Sequence, residues 1–445
     1  MGTVGPRRGR WRPRAGGVIA SSRSCRTKSC PGPEPLSPAT ADELKDVVAS
    51  ALAGRRPLEI LGAGSKRGYG RPPDGGATTP VSLGALRGIA LYEPAELVMS
   101  AAAGTPLAEI EARLAENRQR LAFEPPDYGA LLGGAPGAGT IGGVFACNLA
   151  GPRRIRDGAA RDHFLGVEAV TGRGDLIKSG GRVVKNVSGY DLCKLFAGSF
   201  GTLVAMTRVT FKVMPVPEDT RTLLVVGLDE PAALDVARGA LGEPYEVSGS
   251  ACLPRGAAAR SAVGAVAGAG GPLAAIRLEG PEPSVRYRSD ALKRRYAGTG
   301  GEMAELDGRD SATLWREVRD VALLPGGDGG ALWRISVAPA AGGALVADLR
   351  GRLPAAEALF DWAGGLVWLL PSGGPEDDGG AALVREAVAR HGGGHATLLR
   401  APAEVRAAVP VFQPQTPALA RLTERVKDSF DPQRVLNPGR MYDGV

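Results

Sequence analysis

Residues 133–215 read GGAPGAGTIGGVFACNLAGPRRIRDGAARDHFLGVEAVTGRGDLIKSGGRVVKNVSGYDLCKLFAGSFGTLVAMTRVTFKVMP, and glycine interrupts almost every apolar run in them. Glycine is favoured where the backbone needs positive φ or must lie against a flat or charged ligand. The glycines of Gly139-Thr140-Ile141-Gly142-Gly143 therefore predict a ligand in van der Waals contact with the main chain; the competing reading is a loop that merely turns tightly. A second glycine loop, Gly62-Ala63-Gly64-Ser65-Lys66-Arg67-Gly68-Tyr69-Gly70, lies upstream, directly after the strand-like run Leu58-Glu59-Ile60-Leu61. Its glycines free several backbone N–H groups to point one way, and Ser65 and Lys66 add a hydroxyl and a cation, which suits a pyrophosphate. Neither GxxxxGK with a following Ser or Thr, nor a GxGxxG that opens a long helix and precedes an acidic residue by about twenty positions, is present. One basic and one neutral loop fit a long ligand with a charged middle and a flat aromatic end, the form of flavin adenine dinucleotide (FAD).

At 445 residues the chain is long enough for two domains. No run of eighteen apolar residues occurs, so no transmembrane helix is expected. The net charge of +7 suggests nucleic acid until it is located: residues 1–30 hold eight Lys or Arg and no Asp or Glu, so the tail carries the whole excess. No nucleic-acid partner is expected of the folded body. Residues 1–38, rich in Arg, Gly, Ser and Pro, read as a disordered basic tail whose Gly17-Val18-Ile19-Ala20 is too short for a signal-peptide core. The cysteines, Cys25, Cys30, Cys147, Cys193 and Cys252, form no CxxC or ferredoxin-like series, so the chain cannot supply four clustered thiolates. Scattered single thiols suit a reducing cytosol, and a cytoplasmic location is expected.

Folded structure is expected from Ala39. Leu44, Val47, Val48 and Leu52 share one face, which predicts a helix over 41–52, capped by Thr40 or Asp42 and ended by Gly54. Strands follow at Thr79–Leu83 and Leu97–Ala102, and Pro106 opens a helix with Leu107, Ile110 and Leu114 on one side. Short strands and helices without regular βαβ alternation make this region α+β. From Arg221 the texture changes: Thr222–Leu228, Ala274–Leu278, Leu332–Val337 and Gly365–Leu370 read as strands between Ala-rich helical runs, predicting a second α+β domain whose antiparallel sheet is covered by helices. The Gly/Ala-rich stretches 256–275, 325–331 and 371–382 read as mobile loops, and no repeat of period twenty to fifty is evident. The expected layout is a tail over 1–38, a first domain over 39–217, a second over 218–410, and a segment over 411–445 that returns to the first.

The order GAGSK (62–66), SAAAGTPLAEIEARL (100–114), GTIGG (139–143) and ARDHFLGVEAVTGRGDLIKSGGRVVKNVSGYDLCKLFAGSFGTL (160–203) resembles the FAD-binding domain of the vanillyl-alcohol-oxidase family, the PCMH-type fold. FDPQRVLNPGR (430–440) resembles the ending that many members carry. Within the family, LWRISVAP (332–339), DWAGGLVWLL (361–370) and GGHATLLRAP (393–402) are similar to blocks of the FAD-binding E-subunit branch of bacterial glycolate oxidases, and the likeness runs over about residues 40–445. It implies a two-subdomain PCMH-type FAD-binding domain followed by an α+β cap. The cofactor set it implies comprises Gly62, Ala63, Gly64, Ser65, Lys66, Gly139, Thr140, Gly142, Gly143, Arg161, Asp162, Gly201, Thr202 and Asn437.

Arg161 and Asp162 have an alternative as a surface turn capped by Asp162. Lys185–Asp191 reads as a helix start with a packed Tyr190. Several family branches bond flavin covalently through a His in the first glycine loop; here no His precedes His163, so noncovalent FAD is expected. Metal-binding relatives carry a His pair around a GDGN-like stretch, which His391 and His395 do not reproduce, so no metal is expected. Oxidation of a 2-hydroxy acid needs a base for the hydroxyl proton and a cation for the carboxylate, and His395 and Arg400 are residue types that would serve; the alternative is a His and an Arg bonded to backbone at the domain interface. The resemblance implies hydride transfer from a small 2-hydroxy acid such as glycolate to FAD. It implies partners too, a second FAD-linked oxidase subunit and an iron–sulfur subunit passing electrons towards the membrane, with no direct membrane insertion. A self-contained alcohol or hydroxy-acid oxidase and a non-catalytic electron-relay subunit are the competing functions.

Overall fold

In the computed structural model the described residues are 1–2, 34–73, 78–182, 189–325, 330–372 and 378–445. The chain divides into Met1–Glu34 and Pro35–Val445. The basic tail, apart from its ends, and with it Cys25 and Cys30, lies outside the described residues, as do Lys185–Ser188 and parts of two Gly/Ala-rich stretches. The second unit carries all the named strands and helices.

Its N-terminal part starts ahead of Ala39, because Leu36 hydrogen-bonds Pro80 and Ser82 at 2.9 and 2.7 Å. Helix α1 (Ala41–Gly54) is capped by Thr40, whose hydroxyl accepts from the Glu43 N–H at 3.1 Å, and stops at Arg55 with φ 50°. Leu44, Val48 and Ala51 bury its apolar stripe against Leu58, Val81, Val170, Val435 and Leu436. β1 (Leu58–Leu61) runs parallel to β2 (Thr79–Ser82). A five-stranded antiparallel sheet follows, built from β3 (Ile89–Glu93), β4 (Val98–Ala102), β6 (Phe164–Thr171), β7 (Leu176–Gly180) and β8 (Val204–Lys212) in the order β3-β4-β8-β6-β7; β5 (Gln119–Arg120) pairs with β9 (Met214–Pro215). Helices α2 (Leu107–Ala115) and α3 (Ile141–Ala146) pack here, α2 through Ile110 and Leu114 and α3 through Ile141, Val144 and Phe145. Phe145 stacks on Phe164 at 4.4 Å between ring centres. Asp191 caps the helix Leu192–Phe196 as expected of that stretch, but Tyr190 is 90 % exposed among the described residues: it stands one residue outside the cap.

The remainder forms one eight-stranded antiparallel sheet. Its strands are β10 (Asp219–Val226), β11 (Gly249–Leu253), β12 (Leu273–Gly280), β13 (Glu302–Asp307), β14 (Leu332–Ser336), β15 (Glu357–Asp361), β16 (Leu366–Leu370) and β17 (His395–Arg400), in the order β13-β10-β12-β11-β15-β16-β14-β17. From either end the order is the same: each half is a βαββαβ unit of the ferredoxin-like kind, fourth strand outermost. The halves meet through β11 and β15 at the Cys252–Phe360 pair. This is an internal duplication that no sequence periodicity discloses. The fold class is α+β, with an antiparallel second sheet.

The C-terminal end lies against β1. Leu436 bridges Leu58, and Lys427, fully buried in the helix Pro417–Phe430, donates to the carbonyls of Thr202 (2.6 Å) and Leu436 (2.9 Å) and pairs with Asp431 at 2.7 Å. A buried ammonium is tolerable only with its protons satisfied, and here three oxygens do so. Among the described residues no helix is long and apolar enough to cross a membrane.

Candidate active site and its cofactor cleft

β1 delivers the chain into Gly62–Gly70, a loop shaped from behind by Arg440. That guanidinium donates to the carbonyls of Lys66 (3.0 Å), Arg67 (2.9 Å), Tyr69 (2.6 Å) and Arg71 (2.8 Å). Burial lowers it to about 10. With these carbonyls turned to Arg440 and Gly64 at φ +76°, the N–H groups of Ala63, Gly64, Ser65 and Lys66 make no hydrogen bond among the described residues. Successive free N–H groups in such a turn form an anion-binding nest. Lys66 stands beside them, half-buried, with its ammonium 3.3 Å from the Ser65 hydroxyl and no ion pair among the described residues. Burial lowers its pKa, while Cys147 and Asp127 pull the other way.

The nest opens into a cleft with about 770 Å³ of empty space, mouth included. Ala103, Phe200, Val204 and Met206 give it an apolar wall and Cys147 a thiol. Phe200 (φ 54°) and Gly201 (φ 72°) form a left-handed turn held by Asn437, whose amide accepts from the Ile60 N–H at 2.7 Å and donates to the Phe200 carbonyl at 2.8 Å. An unpaired cation and free N–H groups at one end and apolar walls along the rest fit a dinucleotide with a flat ring system. The charged end would take the pyrophosphate of FAD, and the slot its ring.

Gly62, Ala63, Gly64, Ser65, Lys66, Thr140, Gly142, Gly143, Gly201 and Asn437 all line the cleft. Several do so for a different reason from the one expected. A Cβ on Gly142 would meet the Ala103 Cβ at 2.7 Å and its carbonyl at 2.8 Å; one on Gly62 would meet the Thr140 hydroxyl at 2.3 Å, and one on Gly143 the Lys66 side chain at 3.2 Å. The missing side chains thus make room for protein, and the two loops interlock. The N–H groups of Ile141 and Gly142 are already given to Thr105 and Ala103. Gly139 sits behind the cleft, facing Leu107.

Thr202 is turned away: it is buried, its hydroxyl donating to the Ser199 carbonyl at 2.8 Å. Arg161 and Asp162 are exposed and outside the cleft, on the short helix Ala160–His163, where the Asp162 carboxylate accepts from the Ala159 N–H at 2.8 Å. His395 and Arg400 do not meet. They occupy opposite ends of β17, about 16 Å apart at the usual rise per strand residue. His395 is exposed, and Arg400 donates to the carbonyls of Gly330 (3.0 Å) and Leu131 (3.4 Å) as a backbone clamp. Arg440, Phe200 and Met206 were not picked out as site residues by sequence. For Arg440 the signal lay in its place in the 430–440 ending, but the loop it braces is far away in the chain.

Aromatic rings lead from the cleft to the eight-stranded sheet. Tyr69 contacts Phe200 edge-on at 4.9 Å, Tyr128 contacts Tyr69 at 6.1 Å, and Trp368 of β16 contacts Tyr128 at 6.1 Å. At the end of β15, Asp361 is buried and accepts from the Trp362 N–H at 2.7 Å. Burial pushes its carboxyl up to about 7, against the Trp362 bond and the pull of Arg277 and Arg334. A folded pKa above the unfolded value of about 3.9 means that the folded chain holds the proton more tightly, so stability falls as pH rises from about 4 through about 7 and is level above. Asp361→Asn keeps an acceptor and removes the titration. Between about pH 5 and pH 8 the variant is expected to gain roughly 2–3 kcal/mol on the native chain in denaturant unfolding; an equal difference at both pH values counts against it.

The comparisons with known proteins agree with this geometry. A family model described as an FAD binding domain matches residues 36–180. Glycolate oxidase subunit GlcE of Escherichia coli (strain K12) is 36 % identical over 404 residues, spanning 90 % of this chain and 96 % of that protein. Glycolate oxidase subunit GlcD of Bacillus subtilis (strain 168) is 41 % identical over 104 residues, 23 % of this chain and 21 % of that protein. Among solved structures, substrate-bound p-cresol methylhydroxylase superposes with a TM-score of 0.67 at 16 % identity, covering 92 % of this chain and 88 % of that one, a likeness of fold. A PCMH-type cleft with an unpaired anion nest, together with near full-length similarity to GlcE, places this chain in the family of the glycolate oxidase subunit GlcE, among the FAD-linked oxidoreductases.

Proposed function

We propose that the chain binds FAD noncovalently and oxidises a small 2-hydroxy acid, glycolate being the type case, as one subunit of a larger assembly. The observation that carries this reading is the unpaired nest at Ala63–Lys66 facing an apolar slot. The nest and Lys66 hold the pyrophosphate, Phe200, Val204 and Met206 take the ring, and Arg440 keeps the loop in shape without touching the ligand. Bound FAD supplies a hydride acceptor for the substrate's α-carbon. Cys147 lines the slot, but burial pushes its thiol up, against Lys66 and Arg440, and the neutral thiol is a poor nucleophile. His163, the only histidine between residues 39 and 217, is buried, its ring Nε2 on the Asp157 carbonyl at 2.8 Å. Both favour a dissociable cofactor.

Two electrons per turnover must then leave. The scattered cysteines hold no cluster, so the acceptor belongs to other chains: a second FAD-linked subunit, as the similarity to GlcD suggests, and an iron–sulfur subunit. The assembly is cytoplasmic and reaches the membrane only through those partners. The purified full-length chain is expected to be yellow, to release its flavin into the supernatant on acid precipitation, and to turn over glycolate slowly alone but rapidly with a dye when co-expressed with both subunits. Colourless protein that FAD does not reconstitute overturns the cofactor assignment; flavin left in the pellet overturns its noncovalent part; fast oxygen consumption by the lone chain overturns the assembly.

A further inference from the structure

Arg334 projects from β14, opposite Trp368 of β16. Its guanidinium lies 5.2 Å from the Trp362 ring centre and 5.9 Å from that of Trp368. Yet this half-buried cation makes no hydrogen bond or ion pair among the described residues. Other buried or half-buried arginines differ: Arg277, Arg153 and Arg120 each hold a carboxylate. Stacking on indole satisfies the face of a guanidinium and leaves its N–H edge, the part shaped for a planar anion, unused. Half-burying such an edge without an acceptor costs free energy, and a ligand acceptor offsets that cost.

Two more donors share this condition. The hydroxyls of Tyr69 and Tyr128 have no hydrogen-bond partner among the described residues, although the residues are only 7 % and 4 % exposed. Burial pushes Tyr69 up to about 12 and Tyr128 up further, and Arg334 is the cation that opposes both shifts. Both phenols therefore stay protonated donors. Arg154, exposed at the rim, lies 5.1 Å from the centre of the same Trp362 ring. Trp362 itself is fixed: its indole N–H donates to the Gly151 carbonyl at 3.1 Å, and Trp362, Ala363 and Gly364 sit at φ 51°, 56° and 91°. Asp361, which feels the charge of Arg334, is engaged by the Trp362 backbone N–H, and among the described residues it makes no ion pair with Arg334.

We propose that Arg334, with the hydroxyls of Tyr69 and Tyr128 and with Arg154 at the rim, forms the site that binds the carboxylate of the substrate, on a platform of Trp362 and Trp368. This rests on the reading that FAD occupies the adjoining cleft, since Tyr69 packs edge-on against Phe200, which lines that cleft, and against Tyr128. It assigns the carboxylate-binding role to β14 instead of to Arg400. A carboxylate held there sets the α-carbon of a short hydroxy acid towards Phe200 and the ring end of the slot. An amide or a diol of the same size lacks the charge that Arg334 calls for.

The test is a titration of the full-length, FAD-loaded chain with oxalate, followed by the fluorescence of Trp362 and Trp368 and by flavin absorbance, with glycolamide as the uncharged control. Saturable quenching by oxalate and none by glycolamide is expected. Arg334→Met should weaken oxalate binding about 10- to 100-fold, the worth of a charge-assisted contact, with flavin content unchanged, and Arg334→Lys should recover part of it. If Arg334→Met fails to fold, the double variant Tyr69→Phe, Tyr128→Phe carries the same expectation at about tenfold. Native oxalate affinity in a folded Arg334→Met chain, or glycolamide binding as well as oxalate, overturns the proposal. Should FAD never load, the cofactor reading fails by itself, while tryptophan quenching of the flavin-free chain still decides the carboxylate site.

Discussion

Replacing Gly142 with valine is expected to prevent the chain from folding, and not merely to empty its cofactor cleft. A Cβ at this position meets the Ala103 Cβ and carbonyl at 2.7 and 2.8 Å, and the Gly142 N–H is itself bonded to that carbonyl at 2.8 Å. Both obstacles are fixed: Ala103 follows the end of β4 and is buried, so it cannot swing aside as a long side chain would. Even Gly142→Ala should cost about 1–3 kcal/mol as overpacking, and the two further methyls of valine take the loss beyond that. Flavin binding disappears with the fold because the nest depends on the two loops interlocking. Soluble expression, near-UV circular dichroism and thermal melting of both variants check this. A Gly142→Val chain that melts like the native one but carries no flavin would return Gly142 to the role of a pure cofactor contact.

That glycine also shows what a sequence can and cannot disclose. Glycine spacing in GTIGG marked a close approach, but the same letter serves whether the missing side chain admits a ligand or another strand, and only the packing of Ala103 distinguishes them. α1 was legible from Thr40 to Gly54 because its cap and its 3.6-residue stripe are local. β1 and its loop were legible because a strand-like run leads directly into glycines. By contrast β11, β13, β15 and β17 carry little local signal, and the twofold order of the large sheet comes from pairings between distant residues such as Cys252 and Phe360. His395 and Arg400 were attractive as types five positions apart, but on a strand that spacing separates them. Arg334 was hidden inside a block read only as a strand and for likeness. Its meaning lies in what it fails to touch, and no sequence records that.

The ion network between β12 and the N-terminal part was equally silent, and a large stability effect is expected of it as well. Glu279 on β12 accepts from Arg120 at 2.7 Å and from Arg153 at 2.8 and 2.9 Å, with Arg277 at 3.9 Å. Glu124 takes two bonds from Arg277, at 3.0 and 2.9 Å, one from the Arg153 backbone N–H, at 2.9 Å, and pairs with the Arg153 guanidinium at 2.7 Å. Burial alone would raise the Glu279 carboxyl, but Arg277, Arg153 and Arg120 outweigh it and hold it well below the usual carboxylate range. Its contribution is therefore full at neutral pH and lost only in acid, as pH falls from the unfolded value through the lower folded one. Glu279→Ala leaves Arg120 without its carboxylate, where its Nε already has no acceptor among the described residues, and leaves Arg153 and Arg277 to share Glu124. Stranding buried charge in this way costs about 3–5 kcal/mol. Glu279→Leu combined with Arg120→Met should cost less than Glu279→Ala alone, because it removes one of the cations instead of abandoning it. Denaturant unfolding of the two variants at neutral pH decides the matter: a loss below about 1 kcal/mol for Glu279→Ala, the range of an exposed pair, would mean that water already solvates the network.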